Sequence, residues 1–200
     1  MSASLRTIMN SVEPSPKCIT TRKEFVDTEM SFDEALRVVV QHWISDRGGI
    51  RLILTSGLGD WRRDEWINKL RLHLDNELTV CSADSFFMKE GNYEFQPSML
   101  TKAHQKCQGD TFTALQKGKV VVVANTNVET SHIRMYEAYR TKFLLIKFQP
   151  VNVSAAISRG IGNDKNIPTK VFNDIYNKII NLKINRQDFT LLESVITVLV

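Results

Sequence analysis

Long apolar runs are missing from this chain. The longest, such as Val120–Ala124 and Leu52–Leu54, fall far short of the roughly 20 residues that a membrane-spanning helix needs, so no membrane role is expected. Met1–Pro16 holds no apolar stretch of the kind a secretory signal carries. Cysteine is scarce: Cys18, Cys81 and Cys107 stand far apart with no CxxC pair. That excludes a disulfide framework, argues against zinc, and points to a cytoplasmic or other reducing intracellular compartment. The four histidines, His42, His73, His104 and His132, are scattered without ligand spacing, and no resident metal is expected. Nine glycines and five prolines among 200 residues form no repeat and no low-complexity tract, which excludes collagenous and disordered classes.

What remains is a globular composition, 42% hydrophobic and 24% charged, with enough chain for one real core. The formal net charge of +4 hides an asymmetry. Residues 1–100 carry 12 basic against 15 acidic side chains, a balance of −3, while residues 101–200 carry 14 against 7, a balance of +7. A basic half suits RNA or another polyanion, and equally suits a solvated surface.

Along the chain, residues 1–30 are polar, contain Pro14 and Pro16 and show no apolar period; they read as an N-terminal arm, with a single domain over residues 31–200. Ser31 and Glu34 form a capping signal for a helix over about Phe32–Ile44, stopped by Asp46-Arg47-Gly48-Gly49. Short buried strands are expected at Ile50–Thr55, Leu78–Ser82, Lys119–Ala124 and Phe143–Phe148, alternating with helices over Arg62–Leu74, Pro97–Lys117 and Ser131–Tyr139. A helix over Thr169–Ile180 and a last strand in Leu191–Val200 complete the pattern. Alternating strands and helices imply an α/β architecture with a mainly parallel sheet and ligands at the strand C-terminal ends.

The first central strand runs through Thr55-Ser56-Gly57-Leu58-Gly59-Asp60-Trp61-Arg62-Arg63-Asp64 into a helix, the position of a phosphate-binding loop. Such a loop needs backbone N–H groups curled around an anion, a lysine for the outer phosphates and a hydroxyl for Mg²⁺. Against G-x-x-x-x-G-K-[ST], Gly57 matches the first glycine, but Arg62, Arg63 and Asp64 replace the second glycine, the lysine and the hydroxyl. Arg63 keeps the charge on a broad planar fork. Asp64, with Asp60 beside it, sets carboxylates toward the phosphate position, where like charges about 4 Å apart at an effective dielectric near 20 repel by roughly 4 kcal/mol. By spacing alone, a purely structural turn stays open as a reading.

Further on come, in order, Ser82-Ala83-Asp84-Ser85-Phe86-Phe87, Tyr93-Glu94-Phe95, Ala103-His104-Gln105-Lys106-Cys107, and a valine strand running into Asn125-Thr126-Asn127. Together these resemble the polynucleotide-kinase-like branch of the P-loop kinases over about Ile50–Ile180. The resemblance implies a three-layer P-loop kinase-like fold. It also implies that Asp84 stands where the family has its general base, that Gly57, Arg63 and Arg159 stand at nucleotide-binding positions, and that Arg159–Pro168 occupies the lid. Departures cluster at the chemistry: Ser85 replaces a second acid, Ala124 replaces the acid before Asn125, and the lid lacks the family's His-Gly.

The expectation is therefore a kinase fold that has lost phosphoryl transfer, with no cofactor, kept as a binding or assembly module for RNA, nucleotide or a protein partner. Two alternatives stay open: an active divergent 5′-kinase that uses ATP and Mg²⁺, and a structural subunit of a larger assembly. Arg134, Arg140 and Lys142 are candidate nucleic-acid contacts, and Trp61 either fills the vacated nucleotide space or faces a partner. His104, Cys107 and the aromatics Phe86, Phe87, Tyr93 and Phe95 read first as packing groups.

Overall fold

Continuous runs of β-branched and apolar residues bounded by turn formers become the central strands, because both faces of a parallel sheet are covered and nothing selects alternation. The computed structural model describes residues 27–46, 49–160, 165 and 167–200. In chain order its strands are β1 (Asp27–Met30), β2 (Leu52–Ser56), β3 (Leu78–Cys81), β4 (Met88–Lys89), β5 (Asn92–Tyr93), β6 (Val120–Val123), β7 (Phe143–Gln149) and β8 (Leu192–Leu199). The helices are α1 (Phe32–Val38), α2 (Asp64–Leu74), α3 (Leu100–Gln116), α4 (Thr130–Arg134), α5 (Val153–Gly160) and α6 (Thr169–Ile180).

Six strands form one sheet in the order β1-β8-β7-β2-β6-β3, every neighbouring pair parallel. The α/β expectation holds. From β2 the chain crosses to one side for β3 and β6 and to the other for β7 and β8, so the order reverses beside β2. Ligands in open α/β sheets settle at that reversal, outside the strand C-terminal ends. One face of the sheet packs on α1, α2, α5 and α6 through Ile53, Val122, Ile146, Phe148 and Trp66. The other packs on α3, α4 and the stretch before β8 through Leu54, Val123, Leu145, Cys107 and Ile133.

Local signals act where they were legible. Ser31 Oγ accepts the Glu34 N–H at 3.3 Å and starts α1, which continues in wider π-type turns over Val39–Asp46. Pro97 opens a 3₁₀ turn that leads into α3, and α6 starts after Pro168.

Three elements depart from the sequence expectation. The last four residues of the expected arm are β1, whose register pairs Asp27 with Val195 and Met30 with Val198; Asp-Thr-Glu-Met has no apolar period, and the pairing comes from the free edge of β8. The rest of that arm, Cys18 included, and Arg47-Gly48 of the expected helix stop lie outside the described residues. The hairpin β4–β5 turns through Glu90 and Gly91, both at positive φ (49° and 87°), as a two-residue hairpin turn requires. Helix α5 is capped by Asn152, whose Oδ1 accepts the Ala155 N–H at 2.8 Å.

Two glycines in helices separate packing from propensity. Gly160 ends α5 against the Phe172 ring, so a Cβ there meets the ring of a buried residue. Gly109 sits inside α3 with open space around it. Gly160→Ala is expected to destabilise by about 1–3 kcal/mol through forced repacking, and Gly109→Ala to stabilise by about 0.5–1 kcal/mol. Urea denaturation of both variants checks the pair.

Candidate functional site

The loop after β2 turns sharply at Gly57 and passes through a kinked helical turn over Gly59–Arg63 into α2. Gly57 has φ 121°, and a Cβ there would meet the Phe148 carbonyl oxygen at 2.8 Å, so only glycine fits. Its N–H donates to the Thr126 carbonyl at 3.0 Å. That ties the first loop amide to the Asn125-Thr126-Asn127 turn rather than leaving it for a ligand. Asn127 Nδ2 in turn donates to the Thr55 carbonyl at 2.8 Å. Arg62, at the motif's second glycine, adopts φ 63°, a left-handed conformation that costs a non-glycine residue roughly 1–2 kcal/mol. Its guanidinium turns outward, donating to both Glu65 carboxylate oxygens at 2.8 and 2.9 Å and stacking 4.1 Å over the Phe32 ring.

Arg63 goes the other way. It is 4% exposed; Nη1 donates to the Gly57 carbonyl at 3.0 Å and Nε to Asp64 Oδ1 at 2.9 Å. The other Asp64 oxygen occupies the space where a Cβ on Gly59 would stand, with Arg63 Nη2 close behind. The Arg63 guanidinium is thus buried beneath the loop, and the Asp64 carboxylate lies against Gly59 at the surface. The side chain of Asp60 lies outside the described part.

Trp61 is fully buried, and its Nε1 donates to the Ala156 carbonyl of α5 at 3.1 Å. The expectation of a partner-facing Trp61 is corrected: an indole with its one donor spent on a backbone carbonyl belongs to the core beneath the loop. Arg159, in the last turn of α5, is exposed at the rim of the loop, near enough for its charge to help hold the Glu65 carboxyl below its usual range, after the larger effect of the Arg62 hydrogen bond.

Arg134, Arg140 and Lys142 do not join this group. Lys142 precedes β7 and pairs with Glu193 at the start of β8 at 3.0 Å, and Arg134 pairs with Asp188 at 2.8 Å. These contacts lie at the N-terminal ends of the strands, because Phe143 is level with Leu52 and not with the loop. Arg140 is exposed with φ 53°. The candidate nucleic-acid contacts Arg134 and Lys142 thus stand at the opposite end of the sheet from the loop after β2.

Asp84 follows β3 at the C-terminal edge and is half-buried. Its Oδ1 accepts from the Tyr93 hydroxyl at 3.2 Å, and its Oδ2 accepts from Lys165 Nζ. The Lys165 ammonium also lies 5.2 Å from the Tyr93 ring centroid. Burial, then Asp84, push the Tyr93 hydroxyl up to about 12. His104, on α3, is held below its ordinary value by burial first and by His132 second, with Asp84 pulling the other way. Lys165 was not singled out from the sequence, although it is the one lysine inside Arg159–Pro168; the rest of that stretch is described only in part. Each oxygen of the carboxylate thus accepts from a donor of the chain itself.

Around it, Phe87 meets Phe86, Tyr93 and Phe95 edge-on at 5.1–6.1 Å, and Tyr93 stacks on Phe95 at 6.4 Å. These aromatics pack on one another. Burial pushes the Cys107 thiol up to about 11, which makes it an inert core group. Among the described residues no group of three or more His, Cys, Asp and Glu side chains is placed to hold a metal ion, and no helix is long and apolar enough to cross a membrane.

No family model and no curated protein matches the chain. Its similarity is to solved structures. A chain of the Pnkp1/Rnl/Hen1 RNA repair complex matches with TM-score 0.54 at 12% identity, over 71% of this chain and 47% of that one, so this chain spans about half of that protein's length. A candidate kinase from Chloroflexus aurantiacus j-10-fl matches with TM-score 0.51 at 14% identity, over 75% of this chain and 88% of that one. At such identities the likeness is one of fold. The chain has a kinase-like α/β fold, with β1 at the sheet edge beside β8.

The two perturbed groups beside Asp84 generate opposite pH responses. His104 resists protonation in the folded state, so stability present above pH 6.5 is lost as pH falls below it. Tyr93 resists ionisation, so stability present below about pH 10 is lost as pH rises toward 12. His104→Asn is expected to flatten the acid limb alone and Tyr93→Phe the alkaline limb alone, in denaturant midpoints measured across pH.

Proposed function

We propose that this chain is a polynucleotide-kinase-like domain without phosphoryl transfer, retained as a binding module. The observation that carries the reading is the Arg63–Asp64 pair inside the loop after β2. Phosphoryl transfer is almost wholly positioning and charge stabilisation. A carboxylate lying against Gly59 of the loop opposes the polyphosphate it would have to hold, and the loop offers neither the lysine nor the metal-binding hydroxyl. The donors around Asp84 add support: with Tyr93 and Lys165 on its oxygens, the carboxylate is stabilised in its ionised form and is a weaker general base for an acceptor hydroxyl.

The partner class follows less directly. The similar chain in an RNA repair complex and the +7 balance of residues 101–200 favour RNA or an RNA-handling protein as what the module meets. Salt dependence of RNA affinity tests that part, because each phosphate contact steepens the slope of log K against log salt.

The central test uses ATP, Mg²⁺ and a 5′-hydroxyl oligoribonucleotide. No transfer of the γ-phosphoryl group is expected, and no nucleotide-dependent rise in melting temperature; a loop that held ATP at a hundredfold excess over its Kd would gain about 2.7 kcal/mol. Transfer that is lost in Asp84→Ala overturns the proposal. The triple change Arg62→Gly, Arg63→Lys, Asp64→Ser removes the internal pair and is expected to bring a nucleotide-dependent shift that the unaltered chain lacks.

A further inference from the structure

Arg62 is the one strained residue in the loop after β2, and it is gripped from two sides. On the inner side its neighbours are anchored: Trp61 donates to the Ala156 carbonyl and Arg63 to the Gly57 carbonyl. Both of those side chains are buried. On the outer side Arg62 meets the N-terminal helix. Its guanidinium stands 4.1 Å from the centroid of the Phe32 ring, and Lys69 Nζ stands 4.7 Å from the same centroid. One aromatic ring thus carries two cations.

Glu65 ties this group together. Its oxygens accept from Arg62 Nε at 2.8 Å and Nη2 at 2.9 Å, and Oε1 lies 4.0 Å from Lys69 Nζ. Lys69 Nζ also donates to Asp33 Oδ1 at 3.3 Å. The cluster therefore joins the first turn of α1, the loop and the first turns of α2. Phe32 is 6% exposed and begins α1, which is anchored in the core through Ala35 and Leu36. The ring's place is thus set by the helix, and Arg62 adapts to it.

The energies are balanced closely. Exposed ion pairs and a single cation–π contact are each weak, and together they are of the same order as the penalty for a left-handed arginine. A residue held against its own backbone preference by contacts of that size has a second conformation within reach.

We propose that Phe32 and Glu65 form a latch on Arg62, through which the N-terminal helix controls the loop after β2. With the latch shut, the Arg62 guanidinium is committed to Glu65 and Phe32. With it open, the backbone at Arg62 relaxes, the loop loosens and the guanidinium is released beside Arg159 at the strand C-terminal ends. This is regulation of the site read above as part of a binding module, and its consequence for binding rests on that reading. Phe32 and Glu65 are positioning residues, since both act through Arg62.

The test is amide hydrogen exchange of the full chain, followed residue by residue by NMR. Phe32→Leu keeps the apolar volume and removes the ring face; Glu65→Gln removes the charge from an exposed position and leaves the core untouched. Each is expected to speed exchange over Gly59–Arg63 about fivefold, one ordinary contact, while the amides of β7 keep their rates. In an Arg62→Gly background, where glycine takes the left-handed conformation freely and has no side chain to hold, the same two changes are expected to leave loop exchange unmoved. Unchanged loop exchange in both single variants overturns the latch. So does an acceleration shared equally by β7, which marks general destabilisation, or one that persists in the Arg62→Gly background, which shows that Arg62 does not carry it. If Phe32→Leu fails to fold, Glu65→Gln alone decides. Phosphoryl transfer is assayed separately on the unaltered chain, so either proposal can fail without the other.

Discussion

Burying both faces of an all-parallel sheet is the constraint on which the rest of this structure depends. Once α1, α2, α5 and α6 cover one side and α3 and α4 the other, polar side chains can face a ligand chiefly where the strands end. The loop after β2, Asp84 after β3 and the Asn125-Thr126-Asn127 turn after β6 all lie there because their strands run the same way. The same direction carries Arg134 and Lys142 to the opposite end, beside Asp188 and Glu193.

At that C-terminal edge the chain neutralises its own functional groups. Arg63 meets Asp64, Arg62 meets Glu65 and Lys165 meets Asp84. In each case a charged group near the strand C-terminal ends has a partner of opposite charge within the chain. The Arg63 pair differs from the other two in that its guanidinium is buried while the Asp64 carboxylate stays exposed, and the Gly57 carbonyl is the second acceptor on that guanidinium.

The central elements were legible because their signals are local. Val120–Val123, Leu52–Ser56 and Thr169–Ile180 carry runs or periods that few other conformations accept, and Ser31 and Pro97 announce helix starts. The order of motifs along the chain brought Gly57, Asp84 and Asn125 to one end of the sheet before any coordinate did. Less visible were β1, whose four residues pair only because β8 offers an edge, and α5, whose start rests on Asn152. Trp61 was ambiguous for a similar reason: an aromatic in a loop reads the same whether it points out or in, and only the Ala156 carbonyl decides.

By itself the sequence determined the α/β class and the position of the loop after β2, because residue type and spacing suffice for each. Tertiary structure decided how the side chains of that loop are arranged. That Arg63 turns inward to the Gly57 carbonyl while its neighbour Arg62 turns outward to Glu65 follows from a left-handed backbone at Arg62. That Arg62 and Lys69 share the Phe32 ring follows from the packing of α1 beside α2. Neither can be read from a linear pattern, since both depend on which elements lie side by side.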